Sequence, residues 1–268
     1  MVEIFDNIRK IYRFTPPCGE LAEFVEFFSE SSSEATYAHF DNTFTVKMFA
    51  SWTPTFWINL GSAYQLAIGD RYYRVHPGQD ILVVRDNIVE RYILPDDYIF
   101  TVKFFPGALE AILDIDQSKM VNQMVDLQQI LPAWLLRNVR QMNRFEARVG
   151  LFENFFLSQL KKKKRDDHFV RLVQDTIACY EAGEMKYNVN EMAGKMFTTS
   201  KSINRYFSRV IGTTPKNYFS ITRTRTALTA YVANRKTFNP SEFGYYDMSH
   251  FYKNVVQFTG QKLTENRQ

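Results

Sequence analysis

A pattern of five positions occurs twice near the C-terminus, and the two copies are separated by 48 residues. The first copy is Thr199, Ile203, Arg205, Phe207 and Gly212, and the second is Asp247, Phe251, Lys253, Val255 and Gly260. Each copy has a short polar residue typical of a helix N-cap, then apolar and basic positions at helical spacing, then a glycine that can end a helix. The chain therefore encodes one small helical unit twice. Such a repeat in a basic region favours a partner that is itself periodic, such as duplex DNA.

Charge is distributed unevenly along the 268 residues. Residues 1–160 contain 14 Lys and Arg against 20 Asp and Glu, a net charge of −6. Residues 161–268 contain 19 against 9, a net charge of +10. With 45% hydrophobic residues, the chain is long enough for two domains, each with a core. A basic part joined to an acidic one favours a polyanion-binding domain attached to a domain with another role.

Several classes of protein do not fit the sequence. The two cysteines, Cys18 and Cys179, lie far apart and form neither a disulfide framework nor a metal-ligand spacing. No apolar stretch approaches the roughly 20 residues that span a bilayer, and residues 1–10 do not resemble a secretion signal. We therefore expect a cytoplasmic protein with no cofactor, no bound metal and no membrane partner.

Residues 36–105 predict an antiparallel β-structure. Seven aromatic and β-branched runs are separated there by turn residues: FTVKMFAS, TFWINLG, YQLAIG, YYRVHPG, DILVVRD, ERYILPDD and YIFTVKFFPG. Short strands at this regular spacing along the chain indicate a sandwich or a barrel. A helix over residues 19–30 is expected before them, because Leu21, Phe24, Val25 and Phe28 share one helical face.

After Pro106 the periodicity becomes helical. ALEAILDI and PAWLLRNVRQM predict two helices, and Asn143 with Glu146 predicts a capping box at the start of a third. The basic run at residues 161–165 marks the expected boundary between a domain of residues 1–160 and a domain of residues 161–268. The run is either a solvated linker or an arm that contacts phosphates.

The C-terminal domain is predicted to be all-α. A helix over residues 166–182 is followed by Gly183, and Asn188 with Glu191 predicts a capping box that opens a short helix. A further helix begins at Thr199, with an apolar inward face and an outward face rich in Ser, Asn, Lys and Arg. These outward residue types bind phosphates and base edges in DNA, although the same pattern also fits an ordinary solvated helix face.

The C-terminal residues resemble a known family. TSKSINRYFSRVIGTTPKNY, then Arg223 and Ala227, then FGYYDMSHFYKNVVQFTG are similar to the DNA-binding domain of AraC/XylS transcriptional regulators over residues 168–265. The resemblance implies two helix-turn-helix units joined by a long helix, with recognition helices at 199–209 and 247–257. The candidate DNA-binding residues are Thr199, Ser200, Lys201, Ser202, Asn204, Arg205, Arg209, Lys216, Met248, Ser249, His250, Tyr252 and Lys253.

The length of the joining helix fits this interpretation. A helix from Lys216 to Asn234 spans about 28 Å at about 1.5 Å per residue, close to the roughly 34 Å repeat of B-DNA. One protomer would then reach two successive major grooves.

The second unit departs from the family pattern. Asn239 and Pro240 occupy positions where the supporting helix usually has an apolar residue and alanine, so this helix is expected to be short or shifted. Leu263 stands where the family commonly has proline, and Lys253 replaces arginine. Because lysine lacks the planar fork of arginine, base readout by the second unit is expected to be weaker.

The N-terminal half resembles the cupin-like regulatory domains of some of these regulators, through TPTFWINLGSAYQL and FTVKFFPGALEAILDI. The resemblance implies that this half binds a small-molecule effector or forms a homodimer. The candidate ligand-binding residues are Trp57, Asn59, Tyr64, Tyr73, His76 and Arg85, although packing within a β-structure explains most of them equally well. The partner expected for Arg85 is Asp86, Glu90 or an acidic effector.

We therefore expect an α+β protein that is a bacterial-type, sequence-specific DNA-binding regulator and not an enzyme. RNA polymerase would be a further partner if the protein is an activator. The alternative is a small-molecule-binding or enzymatic cupin-like barrel whose helical tail mediates protein contacts. A third possibility is a DNA-binding protein whose barrel serves only for dimerisation.

Overall fold

Ten strands and four α-helices make up the N-terminal half of the chain in the computed structural model, which describes residues 11–31, 33–39, 44–93, 96–163 and 168–263. The strands are β1 (Tyr12–Thr15), β2 (Val25–Ser31), β3 (Phe44–Met48), β4 (Ser51–Asn59), β5 (Tyr64–Ile68), β6 (Arg71–Val75), β7 (Ile81–Arg85), β8 (Val89–Ile93), β9 (Ile99–Phe104) and β10 (Gln123–Asp126). The helices are α1 (Ser33–His39), α2 (Ala108–Leu113), α3 (Ala133–Gln141) and α4 (Phe145–Lys162).

The strands form two antiparallel sheets. One sheet has the order β1-β2-β9-β4-β7-β10, and the other has the order β3-β8-β5-β6. Among the described residues the two sheets do not close into a barrel, so of the two possibilities predicted from sequence the structure is a sandwich. All seven strands predicted between residues 36 and 105 are confirmed as β3 to β9.

The larger sheet is covered on both faces. Trp57, Ile81 and Val83 face the smaller sheet, whereas Phe56 and Leu82 face the helices. On the helical side, the Phe152 ring of α4 stacks on a phenylalanine of β9 at a centroid distance of 5.6 Å. Burial on both faces explains why β7 reads ILVVR, with every residue buried, and not as alternating apolar and polar residues.

The helix predicted over residues 19–30 is wrong. The structure has a short 3-10 helix at Gly19–Leu21 and then strand β2, which pairs with β1 and β9. The apolar spacing fits both periods over so short a stretch, and the pairing with two strands decides the outcome. Strands β1 and β10 were also not predicted.

The helices after Pro106 agree with the prediction except for one cap. α2, α3 and α4 lie where ALEAILDI, PAWLLRNVRQM and the aromatic stripe placed them. The N-cap of α4 is Arg144, without a side-chain hydrogen bond, so the capping box of Asn143 and Glu146 is not formed. A buried ion pair between Arg148 of α4 and Glu30 of β2, with an N–O distance of 2.6 Å, ties this end of the helix to the sheet.

The described residues after 167 are helical. They form α5 (His168–Ala182), α6 (Val189–Lys195), α7 (Ser200–Val210), α8 (Pro215–Ala233), a 3-10 helix (Pro240–Phe243) and α9 (Met248–Thr259). The fold class is therefore α+β, with the all-α C-terminal part that was predicted. Residues 164–167, which include part of the basic run and the first turn of the helix predicted at 166–182, lie outside the described residues.

Helix α8 is the structural centre of the C-terminal half. Near its N-terminus, Tyr218 and Phe219 contact Phe207 of α7, with ring centroids 5.8 and 5.6 Å away. Near its C-terminus, Tyr231 contacts Phe251 of α9 at 5.7 Å. Each end of one continuous helix therefore holds one of the two repeated units.

The two halves of the chain share a buried core. The apolar residues of the larger sheet, α2 to α4 and the C-terminal helices form one contiguous cluster. In the described part of the chain, no helix has both the length and the apolar character needed to cross a membrane.

Replacing Phe207 by alanine tests the packing of α7 on α8. Phe207 is fully buried among aromatic rings, so we expect Phe207→Ala to lower the free energy of unfolding by about 3–5 kcal/mol, measured by urea denaturation. Ser208→Ala, at the next position of the same helix, is the control and should change it by less than about 0.5 kcal/mol. A loss below about 1 kcal/mol for Phe207→Ala would contradict the packing.

Candidate nucleic-acid interface

The first helix-turn-helix unit consists of α6, a turn and α7. Asn188 caps α6, and its side chain and that of Glu191 form the predicted capping box. Thr199 caps α7, accepting a hydrogen bond from Ser202 N at 3.1 Å. Residues 199–209 were predicted as the recognition helix, and the structure agrees within one residue. Both helix starts are thus fixed by the side chains that the sequence identified.

The N-terminal part of α7 presents polar side chains to solvent. Lys201 and Arg205 are exposed, whereas Ile203 and Phe207 point into the core. The Arg205 guanidinium lies 4.7 Å from the ring centroid of Tyr206 and donates to its hydroxyl at 2.9 Å. These contacts restrain the arginine without removing it from solvent.

Two other candidates on α7 make local hydrogen bonds. Asn204 Nδ2 donates to Ser200 O at 2.8 Å, and Ser200 Oγ donates to Asn190 Oδ1 of α6 at 2.5 Å. The second bond connects the two helices of the unit, and Ser202 lies half-buried beside the cap. These contacts order the polar face of α7 before any ligand is present.

Arg209 differs from the other candidates. Its Nε and Nη2 donate to Glu110 Oε1 of α2, at 2.9 and 2.6 Å. Lys216, by contrast, is exposed in the first turn of α8. The structure therefore leaves Lys201, Arg205 and Lys216 open to solvent and pairs Arg209 with the N-terminal half.

The second unit is built from a shorter supporting element. A 3-10 helix at Pro240–Phe243 with Asn239 as its N-cap replaces a full α-helix, which confirms the expectation of a short or shifted element. Asp247 caps α9, accepting from His250 N at 2.7 Å. The candidates on α9 are Met248, which is half-buried, and Ser249, His250, Tyr252 and Lys253, which are exposed.

Polar contacts from α8 also hold the second unit. Arg223 Nη1 donates to Gly244 O at 3.3 Å, and its guanidinium lies 4.7 Å from the Tyr245 ring centroid. Thr224 Oγ1 and the Tyr245 hydroxyl are 2.8 Å apart and hydrogen-bonded. The 19 residues of α8 span about 28 Å, so the spacing expected from sequence is retained.

Four further exposed side chains near the units are not among the candidates predicted from sequence. Arg235 and Lys236 follow α8, and their signal was a pair of adjacent basic residues in a loop. Phe197 and Tyr246 lie in the turns of the first and second units and are 98% and 92% exposed. Phe197 was expected in the turn of the first unit, but no helical periodicity in a turn shows whether an aromatic side chain is exposed.

The six candidate ligand-binding residues do not converge on one site. Trp57 and Tyr64 are buried together, with ring centroids 6.5 Å apart, and Tyr73 packs against their cluster. Asn59 Nδ2 donates to the carbonyl of His76 at 3.0 Å, where both residues hold a turn, and the His76 side chain is exposed. The contacts of these residues serve core packing and turn formation. Their role in ligand binding stays a prediction.

Arg85 lies elsewhere, at the end of β7. Its Nε donates to Phe49 O at 3.4 Å. Of the two carboxylates proposed for it, Asp86 accepts a hydrogen bond from Asn122, and Glu90 pairs with Lys47 at 2.7 Å. Arg85 therefore contributes to the junction between β7 and the segment around Phe49.

A cleft of about 650 Å³ lies between the two halves of the chain. From the N-terminal half it is lined by residues that include Trp52 and Lys103, and from the C-terminal half by residues that include Tyr218 and Arg225. Trp52 is 3% exposed, and its Nε1 has no hydrogen-bond partner among the described residues. Within the same residues, no three His, Cys, Asp or Glu side chains are grouped so that they would hold a metal ion.

No family model matches the chain, and no curated protein matches it. ToxT from Vibrio cholerae has a similar structure, with 11% identity over 84% of this chain and 96% of that chain and a TM-score of 0.46. The structure of wild-type ToxT from Vibrio cholerae strain SCE256 bound to an unsaturated fatty acid is also similar. It is 10% identical over 84% of this chain and 92% of that chain, with a TM-score of 0.44. The AraC-like transcriptional activator CuxR is 11% identical over 84% of this chain and 88% of that chain, with a TM-score of 0.28. Identities and TM-scores this low do not establish a family or a function, so the proposed function rests on the chain's own residues.

Proposed function

We propose that the chain is a sequence-specific DNA-binding transcriptional regulator that inserts α7 and α9 into the DNA. The observation that carries the proposal is the pair of capped helices held at opposite ends of α8, each with exposed basic and polar residues. Two probes on one continuous helix match the repeat of a duplex better than they match the irregular surface of a protein.

The charges support a division of labour within the interface. Lys201, Lys216 and Lys253 are exposed point charges suited to phosphates, and such contacts give affinity without sequence information. Arg205 is exposed, and its planar guanidinium can donate two hydrogen bonds to the acceptors O6 and N7 of guanine. Specificity would therefore come mainly from the first unit, and the second unit would mainly add affinity.

Selection of binding sites from a random duplex pool by the full chain tests the proposal directly. We expect an asymmetric site with two conserved blocks whose centres lie about 10 base pairs apart, because one protomer carries two different probes. The matched comparison uses the chain with Arg205 and Lys253 both changed to alanine, in which enrichment of this site should be markedly weaker. Failure of the unaltered chain to enrich any sequence would favour the alternative, a barrel whose helical tail contacts protein.

Single substitutions on the two recognition helices distinguish their roles. We expect Arg205→Ala to cost about 1–3 kcal/mol of binding free energy at the selected site and to relax the preference for one base. Lys253→Ala should weaken binding to all sequences alike and lower the salt slope by about 1. Both are read from fluorescence anisotropy at several salt concentrations.

The control for these variants is Arg74→Ala, since Arg74 is exposed on β6 in the N-terminal half. Its affinity should equal that of the unaltered chain. If Arg205→Ala also binds with unchanged affinity, Arg205 lies outside the interface.

We further propose that the N-terminal half controls DNA binding, either through a small-molecule effector or through a homodimer. The cleft between the halves supports the first route, because a molecule bound there touches α8 as well as the sheet. If the protein activates transcription, RNA polymerase is the further partner.

A thermal-shift screen of the full chain against small metabolites tests the effector route. A ligand present at 100 times its Kd should stabilise the protein by about 2.7 kcal/mol. Ala178→Trp, which places a large side chain on the exposed lining of the cleft, should remove the shift, and Ala182→Trp on the same helix but outside the lining should retain it. A shift that survives Ala178→Trp would place the ligand elsewhere.

A further inference from the structure

Three basic residues lie at a spacing of four along the recognition helix α7. Lys201, Arg205 and Arg209 therefore lie on one side of the helix. The first two are exposed, whereas the third is bound to the N-terminal half. One side of the helix that is proposed to enter DNA therefore carries two exposed cations and one cation that is bound to the N-terminal half.

The contact between Arg209 and Glu110 is specific in its geometry. Two N–H groups of the guanidinium donate to the same carboxylate oxygen, Oε1, at 2.9 and 2.6 Å. The guanidinium carbon lies over the ring of Phe169, at the start of α5, 4.5 Å from the ring centroid. The arginine is therefore fixed on two sides in one orientation.

The surrounding contacts position α7 against the same N-terminal segment. The side-chain amide of Gln117 donates a hydrogen bond to the carbonyl of Val210, in the last turn of α7. Gly212 follows with a φ of 90°, and a Cβ there would lie 2.6 Å from Val121 Cγ2. Residues 107–121 thus form the surface on which the C-terminal end of α7 packs.

The two partners differ in their access to water. Glu110 is fully buried, whereas the Arg209 side chain is 49% exposed. Burial raises the pKa of the Glu110 carboxyl, and its hydrogen bonds from Arg209 act in the opposite direction. Lys163 and Asp114 are the other charged groups that act on this carboxyl, and Lys163 donates to the Glu110 backbone carbonyl at 2.6 Å. Release of Arg209 would leave a buried carboxylate without its hydrogen-bonded cation, which is unfavourable.

We propose that Glu110 is a positioning residue that withholds Arg209 from the DNA backbone, so that the N-terminal half sets how many phosphates the first recognition helix contacts. The proposal rests on the proposed DNA-binding function and adds its regulation. A carboxylate of the N-terminal half and a phosphate of DNA compete for the same guanidinium. Any ligand or partner that shifts residues 107–121 relative to α7 then changes the affinity for DNA by releasing or retaining one cation.

Replacing Glu110 by glutamine tests the competition in the full chain. Glu110→Gln keeps the shape of the side chain and removes its charge, so Arg209 becomes available to a phosphate. We expect affinity for the selected duplex to rise about 3- to 10-fold near 0.15 M salt, and the slope of log affinity against log salt to become steeper by about 0.9, the value for one added phosphate contact. A purely structural role for Glu110 would not steepen this slope.

Two further variants complete the cycle. Arg209→Gln alone should leave the salt slope unchanged, because the arginine makes no phosphate contact while it is held. The double variant should match Arg209→Gln and show no gain from the loss of Glu110. If Glu110→Gln does not fold, Arg209→Gln decides: a slope shallower by about 0.9 means that Arg209 already contacts phosphate, which overturns the proposal.

The outcomes separate this proposal from the function on which it rests. Binding by the unaltered chain together with an unchanged affinity and slope in a folded Glu110→Gln chain overturns the role of Glu110 and leaves DNA binding intact. Absence of duplex binding in both chains overturns both.

Discussion

Both helix-turn-helix units pack onto the single helix α8, one near each of its ends. Tyr218 and Phe219 hold the first unit, and Tyr231 holds the second, with an unbroken run of backbone hydrogen bonds between them. Because a helix of this length is stiff, the separation of the two recognition helices is set by the number of residues in α8. The proposed spacing of the DNA contacts follows from that separation.

The N-terminal half contacts both recognition helices near their C-terminal ends. Residues 107–121 contact the last turn of α7, and Phe49 lies 6.2 Å from Phe258 of α9 between ring centroids. The N-terminal parts of both helices, where base edges are read in other helix-turn-helix proteins, remain exposed. The N-terminal half therefore contacts the proposed DNA-reading helices without covering their N-terminal residues.

The two units are not equal in their local construction. The first has a capping box, a full supporting helix and a hydrogen bond from Ser200 to Asn190 that connects its two helices. The second has a 3-10 helix as support and depends on α8 through Arg223 and Thr224. A unit supported mainly by its neighbour is oriented by that neighbour, which agrees with an auxiliary role for α9 in the proposed interface.

The sequence determined the elements whose signals are local. The caps at Asn188, Thr199 and Asp247, the extent of α8 and seven strands all follow from short-range chemistry of caps, apolar spacing and turn residues. The tertiary structure alone decided what depends on distant residues. Residues 25–31 form a strand and not a helix because two other strands pair with them, and Arg209 lies on Glu110, 99 positions earlier in the chain, because folding brings α2 against α7. Periodicity along one segment carries no information about which remote segment will satisfy its hydrogen bonds and charges.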